Sequence, residues 1–187
     1  MNANYCVTLS QLYRLLSEMP KKIFENIIMP ASQKMYRYAL SILKNDETAK
    51  DVVQECLMKI WDKRELLPTI NSPESWALRI TRNQCYDWVK TNRFTIEPDS
   101  VALVAEGDET DHESILNDSM NWLNKILDEF SQKNREIFHL REVEEFTYQE
   151  IAEVMSISVS DVKVSVHRIR QKIRASFQKI EEYGIAN

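Results

Sequence analysis

Only 2 Gly and 5 Pro occur in 187 residues, so the chain has little material for tight hairpins or for loops that cradle phosphates. Leu, Ile, Lys and Glu abound instead, and the fold is expected to be nearly all helix. No window approaches the roughly 18 uninterrupted apolar residues of a membrane span. The N-terminus also lacks a basic segment followed by an apolar run, so a soluble protein without an export signal or membrane insertion is expected. The three cysteines, Cys6, Cys56 and Cys85, are odd in number, far apart and outside any CxxC pair. That excludes a disulfide framework or zinc site and suits a reducing cytoplasm. Scattered Asp, Glu and His show neither ligand spacing nor a nucleophile motif, so no metal, no cofactor and no enzymatic activity are expected. What is present, 43% hydrophobic and 28% charged residues, suffices for one sizeable domain or two small ones with real cores.

The net charge of -5 conceals a division. Residues 1–93 hold 14 Lys and Arg against 10 Asp and Glu, residues 94–130 hold 1 against 10, and residues 131–187 hold 9 against 9. The stretch 94–113 has no helical period, contains Pro98 and Gly107, and carries seven acidic residues without a Lys or Arg; it reads as a linker. Two helical modules, 1–93 and 114–187, are predicted to flank it. Periodicity places helices at Leu9–Glu18, Lys21–Met29, Ala31–Lys44, Glu47–Leu66 and Pro73–Asn92, then at Ser114–Glu129, Gln132–Val143, Tyr148–Met155 and Val159–Glu182.

Winding Pro73–Arg93 at roughly 100° per residue puts Trp76, Ala77, Ile80 and Trp88 on one arc, the expected core side. Arg79, Arg82, Asn83, Tyr86, Lys90 and Arg93 share another. Cations that track phosphates, with an aromatic ring among them to stack on an exposed base, suit single-stranded or opening DNA. The preceding loop, with Asn71, offers a place for an extruded base. An ordinary solvated helix face is the plainer alternative. In Glu47–Leu66, Ala49, Val52, Val53, Cys56, Leu57 and Ile60 form the apolar arc, while Asp51, Gln54, Glu55, Met58 and Asp62 gather opposite. A Met among carboxylates is an adaptable contact for a protein partner with basic residues at its rim. A plain surface with one stray Met competes with that reading.

The strongest signal is Phe146–Phe177. Thr147 and Glu150 make a capping box, Ile151, Ala152, Val154 and Met155 give a short amphipathic helix, and Ser156-Ile157-Ser158 forms a turn before a second helix. This is helix-turn-helix spacing. Val162, Val166, Ile169, Ile173 and Phe177 line one stripe of the second helix, leaving Ser160, Lys163, Val164, His167, Arg168, Gln171, Lys172 and Arg174 outward. Val164, apolar in the middle of a polar face, matches the methyl group of thymine in a major groove, while its neighbours reach base edges and phosphates. A helical hairpin without DNA contact is the alternative. His167 is read as DNA-facing, because no catalytic constellation accompanies it.

The order of motifs resembles the extracytoplasmic-function group of sigma-70 type bacterial transcription initiation factors. Ala49-Lys-Asp-Val-Val-Gln-Glu55 with Lys59-Ile-Trp61 is similar to that family's polymerase-binding helix. Ser75-Trp-Ala-Leu-Arg-Ile-Thr-Arg-Asn83 with Asp87-Trp88 is similar to its helix for the minus-ten promoter element. Tyr148-Gln-Glu-Ile-Ala-Glu153, Val162-Lys163 and His167-Arg168-Ile169-Arg170 resemble its minus-thirty-five reader. The resemblance implies two helical domains that dock on core RNA polymerase and promoter DNA, a linker threading the polymerase cleft, and an anti-sigma factor as a further partner. An acidic linker fits a basic channel built for nucleic acid. Ser156 stands where the family usually has Gly, Asp161 where it has Thr and Ser165 where a basic residue is common, so the promoter sequence does not carry over. Asp161 is expected either to accept from cytosine or to set the helix cap. Two other readings compete. A sigma-mimicking decoy is expected to carry a receiver domain and to have lost the basic strip; a simple helix-turn-helix repressor leaves the Asp51 and Arg79 faces without a use.

Overall fold

A computed structural model describes residues 17–92 and 126–184, with side chains to residue 178. The expected helix over residues 9–16, Arg93, the linker and most of the expected helix at 114–129 lie outside the described residues. The described elements are helical, and none is long and apolar enough to cross a membrane. Two compact units divide between Thr91 and Asn92.

In the first unit, α1 (residues 17–23) runs through a π turn, Phe24–Ile28, into α2, Met29–Leu43. The sequence predicts a break at Pro30 instead. Pro30 falls in the first turn of α2, and the wider turn before it absorbs the missing N–H and the ring's clash with the preceding carbonyl. After Lys44, in the left-handed region at φ 56°, the Asn45 side chain accepts from the Thr48 N–H at 2.9 Å and starts α3, Asp46–Asp62. Tyr36 Oη and Lys50 Nζ both donate to the Asp46 carboxylate, tying α2 to this corner. Helix α3 is shorter than expected: Pro68 disfavours helical geometry at the residue before it, and Arg64–Thr69 tightens into a 3₁₀ turn that buries Leu67. Helix α4 spans Pro73–Thr91.

Helices α2, α3 and α4 pack pairwise around Ile28, Met35, Tyr38, Val52, Cys56, Ile60 and Leu78. Such fully buried side chains contribute roughly 1.5–3 kcal/mol each. The core face of α4 differs from the expected one. It consists of Ser75, Ala77, Leu78, Thr81 and Cys85, while Trp76, Ile80 and Trp88 are only half-buried. The two polar members bring their own partners: Ser75 shares a hydrogen bond with Ser72 at 2.8 Å and Thr81 Oγ1 donates to the Ala77 carbonyl at 3.0 Å, which removes most of the penalty of burying them. Cys56, in hydrogen-bonding contact with Thr81, has its thiol pushed up to about 11 by burial, so it is inert packing.

In the second unit Ser131 caps α5 (Gln132–Phe138), which widens into a π turn, His139–Val143. Helix α6 has the expected bounds, Tyr148–Met155. Its capping box is complete: Thr147 Oγ1 accepts from the Glu150 N–H at 3.3 Å and Glu150 Oε2 accepts from the Thr147 N–H at 2.8 Å. Arg141 steadies the same corner, donating to the Phe146 carbonyl at 2.7 Å with its guanidinium 5.0 Å from the Tyr148 ring. Ser156 ends α6 at φ 55°, ψ 47°, a left-handed conformation that costs a non-glycine residue about 1 kcal/mol. Helix α7 is Val159–Gly184. Helices α5 and α6 pack on it through Ile137, Ile151, Val154, Val162, Val166 and Ile169. The apolar stripe of α7 stops short of expectation, since Ile173 is half-buried and Phe177 is 51% exposed.

Candidate functional site

Three helix faces carry the residues singled out in the sequence. On α3, Asp51, Gln54, Glu55, Met58 and Asp62 are all exposed, with Met58 at 61%. An unbranched thioether held in water among carboxylates is an unsatisfied apolar contact with an acidic rim. Trp61, quoted in the motif but not among the candidates, extends this face. It is partly exposed, with Phe24 edge-on at 4.9 Å and the Arg64 guanidinium 4.5 Å from its ring. A single indole in a helical pattern reads as core, and only the packing of Phe24 behind it shows which side faces out.

On α4, Asn83 and Lys90 are exposed, while Arg79, Arg82 and Tyr86 are half-buried. The Arg82 guanidinium lies 4.8 Å from the Tyr86 ring, so cation and aromatic form one platform. Arg82, Asn83, Tyr86, Asp87 and Lys90 line a shallow concavity of about 450 Å³. Four of the predicted residues thus come together, joined by Asp87, whose carboxylate a charge-based search for a cationic strip passes over. Asn71 is exposed in the loop before α4, at the opposite end of the helix from Lys90.

On α7, Ser160, Lys163, Val164, His167, Arg168, Gln171 and Arg174 are exposed, and Val164 is 47% exposed. Lys172 is different. Its Nζ sits 2.7 Å from Glu129 Oε2 and 4.9 Å from the Phe130 ring, so it is already engaged within the unit. Arg174 borders a groove of about 440 Å³ lined also by Phe138, Glu142, Arg170, Ile173 and Phe177. Arg170 closes one side by donating twice to Glu142 Oε1, at 3.0 and 2.8 Å. At the start of α7 Ser158 Oγ accepts from the Asp161 N–H at 3.0 Å and donates to Asp161 Oδ2 at 2.7 Å. Asp161 sets the cap.

A helix-turn-helix unit with an exposed cationic face, in one chain with a helical unit bearing one acidic and one cationic face, is the build of a two-domain helical DNA-binding protein. The model of Sigma-70 region 2 matches residues 27–95, and that of Sigma-70 region 4 matches residues 120–173. Among curated relatives, RNA polymerase sigma factor SigV of Bacillus subtilis (strain 168) is 26% identical over 161 residues, covering 85% of this chain and 93% of the relative. The ferric citrate uptake sigma factor FecI of Escherichia coli (strain K12) is 30% identical over 119 residues, covering 62% and 68%. The sigma factor RpoE from Bartonella quintana, solved in complex with the anti-sigma factor NepR, superposes with a TM-score of 0.65 at 23% identity, covering 84% of this chain and 98% of that one. The chain belongs to the sigma-70 family, in its extracytoplasmic-function group, and is a transcription initiation factor.

Proposed function

We propose that the protein docks on core RNA polymerase through α3 and recognises a promoter through α4 and α7, giving the polymerase its start sites without a reaction of its own. In this reading residues 1–93 form the polymerase and minus-ten domain, 94–113 the acidic linker that occupies the polymerase cleft, and 114–187 the minus-thirty-five domain. Asp51, Gln54, Glu55, Met58 and Asp62 meet a basic-rimmed protein surface. Arg79, Arg82, Asn83, Tyr86 and Lys90, with Arg93 and Asn71 at the two ends, follow the opening minus-ten strand. Lys163, Val164, His167 and Arg168 face the bases of the minus-thirty-five duplex, with Ser160, Gln171, Lys172 and Arg174 around them. The observation that carries the reading is the co-occurrence, in one chain, of a cationic face in each unit and an acidic face centred on Met58. A repressor uses only the first kind, and a decoy needs neither cationic face.

The relative from Bartonella quintana was solved with an anti-sigma factor, and a partner of that kind, covering one or both domains, is part of the proposal. Promoter-dependent runoff transcription tests the whole. Purified core polymerase with this protein should initiate from a subset of a random promoter library, and neither component should do so alone. Tight, specific promoter binding by the protein without polymerase, and no transcription with it, would favour a repressor instead.

A further inference from the structure

Gln84 lies on α4 but not on its cationic strip. At roughly 100° per residue it is about 100° or more from Arg79, Arg82, Asn83, Tyr86 and Lys90, on the side that meets α3. There it closes a three-membered network across the two helices. Lys59 Nζ donates to Gln84 Oε1 at 2.5 Å, Gln84 Nε2 donates to Glu55 Oε2 at 2.7 Å, and Lys59 Nζ stands 3.9 Å from the same Glu55 oxygen. Of the common side chains of this length, a primary amide is the one that accepts from an ammonium and donates to a carboxylate at once without adding charge. Glu would repel Glu55, Lys would repel Lys59, and Met would bond neither.

Glu55 and Lys59 are each about half exposed, so the network contributes little to folding. Its effect is geometric. Glu55 has three rotatable side-chain bonds, and a free carboxylate on a helix surface samples several rotamers. Two neighbours on one oxygen select a conformation in which Oε2 is occupied from within, and among the described residues no bond is assigned to Oε1. We infer that Gln84 is a positioning residue for core-polymerase docking, which holds the Glu55 carboxylate in the orientation its partner meets. The inference rests on the assignment of Glu55 to the docking face. The ordering cost of Glu55 is then met before association rather than during it.

The test is a double-mutant cycle on the full-length protein binding core polymerase, read by competition, with Gln84→Met and Glu55→Ala as the single variants. Gln84→Met should weaken binding by about three- to tenfold, the effect of immobilising one rotamer-rich side chain on association. It should have no further effect in a Glu55→Ala background. Minus-ten strand binding by the assembled complex and the unfolding temperature of the free protein should stay unchanged, which a general packing defect would not allow. Gln84→Glu, which sets a like charge beside Glu55, should weaken binding more than Gln84→Met. Equal losses in both backgrounds, tighter binding by either Gln84 variant, or no loss from Gln84→Met while Glu55→Ala weakens docking would each overturn the inference and leave the docking face standing. An unchanged affinity for Glu55→Ala itself would remove Glu55 from that face, and the inference with it.

Discussion

Helices α4 and α7 both present cations, yet they do so in opposite ways. On α4 half-buried Arg82 and exposed Lys90 line a shallow concavity, and Arg82 lies against the Tyr86 ring. On α7 the face is exposed and carries Val164 at its centre, with no described ion partner for Lys163, His167 or Arg168. A ring backed by a guanidinium offers a flat surface to a base whose face is free, which occurs once strands have parted. An exposed helix with a small apolar group among hydrogen-bonding side chains suits the edges of paired bases. Under the proposed reading, two helices of similar charge suit two states of the same DNA, opened and closed, and the distinction lies in aromatic support rather than in charge.

The largest expected effect concerns the proposed docking face on α3. Reversing Asp51 and Glu55 together to Lys should weaken core-polymerase binding, by about 2–5 kcal/mol where the charges are desolvated at the contact and by under about 1 kcal/mol where they stay on its rim, with circular dichroism unchanged. Binding as tight as the parent's would show that α3 is not the docking face. Next in size, Tyr86→Ala should cost about 1–3 kcal/mol in binding of the single-stranded minus-ten element by the assembled complex, the usual worth of one stacked base. Tyr86→Phe should retain most of it, and neither should alter affinity for a minus-thirty-five duplex. If duplex binding falls instead, the division between the helices is wrong.

The complementary experiment addresses α7. Val164→Ala and Arg168→Ala together should change which upstream bases are selected from a random library, by roughly 1–3 kcal/mol for a good contact, while minus-ten selection stays the same. An unaltered upstream preference would mean that another face of α7 reads the DNA. The smallest effect concerns Lys172, which must leave Glu129 and the Phe130 ring before it can meet a phosphate. Lys172→Ala should flatten the salt dependence of promoter binding by clearly less than the roughly one unit of slope per lost contact expected for a freely available cation such as Arg168. A full unit of slope would show that the intramolecular pair is no obstacle.

Much of this was readable where a local rule sufficed. The capping box at Thr147 and Glu150 and the bounds of α6 depend on residues three or four apart, and the exposed sets on α3 and α7 follow from helical period alone. Reading stopped where packing overrides residue class, and where partners are distant in sequence. Ser75 and Thr81 count as polar in any periodicity argument, yet they are buried because Ser72 and the Ala77 carbonyl receive them, and this rotates the core face of α4 away from Trp76 and Ile80. Lys172 pairs with a residue 43 positions earlier, and Gln84 with residues 25 and 29 positions earlier. Neither pairing has a sequence signature. Pro30 misled differently: it reads as a helix break, but a π turn directly before it carries the helix through.

The cap at the start of α7 bears on how much a promoter can tell this protein. Ser158 and Asp161 hold each other, so one oxygen of a carboxylate near the start of the helix is engaged by the Ser158 hydroxyl. In the proposed reading, base discrimination rests mainly on Lys163, Val164, His167 and Arg168, which follow within the next two turns. Each well-formed contact resolves roughly one base pair, so the upstream element should be short, with its information concentrated in a few positions. In a genome such short words recur by chance, so under this proposal the protein needs a second element, met by α4, to single out its own promoters.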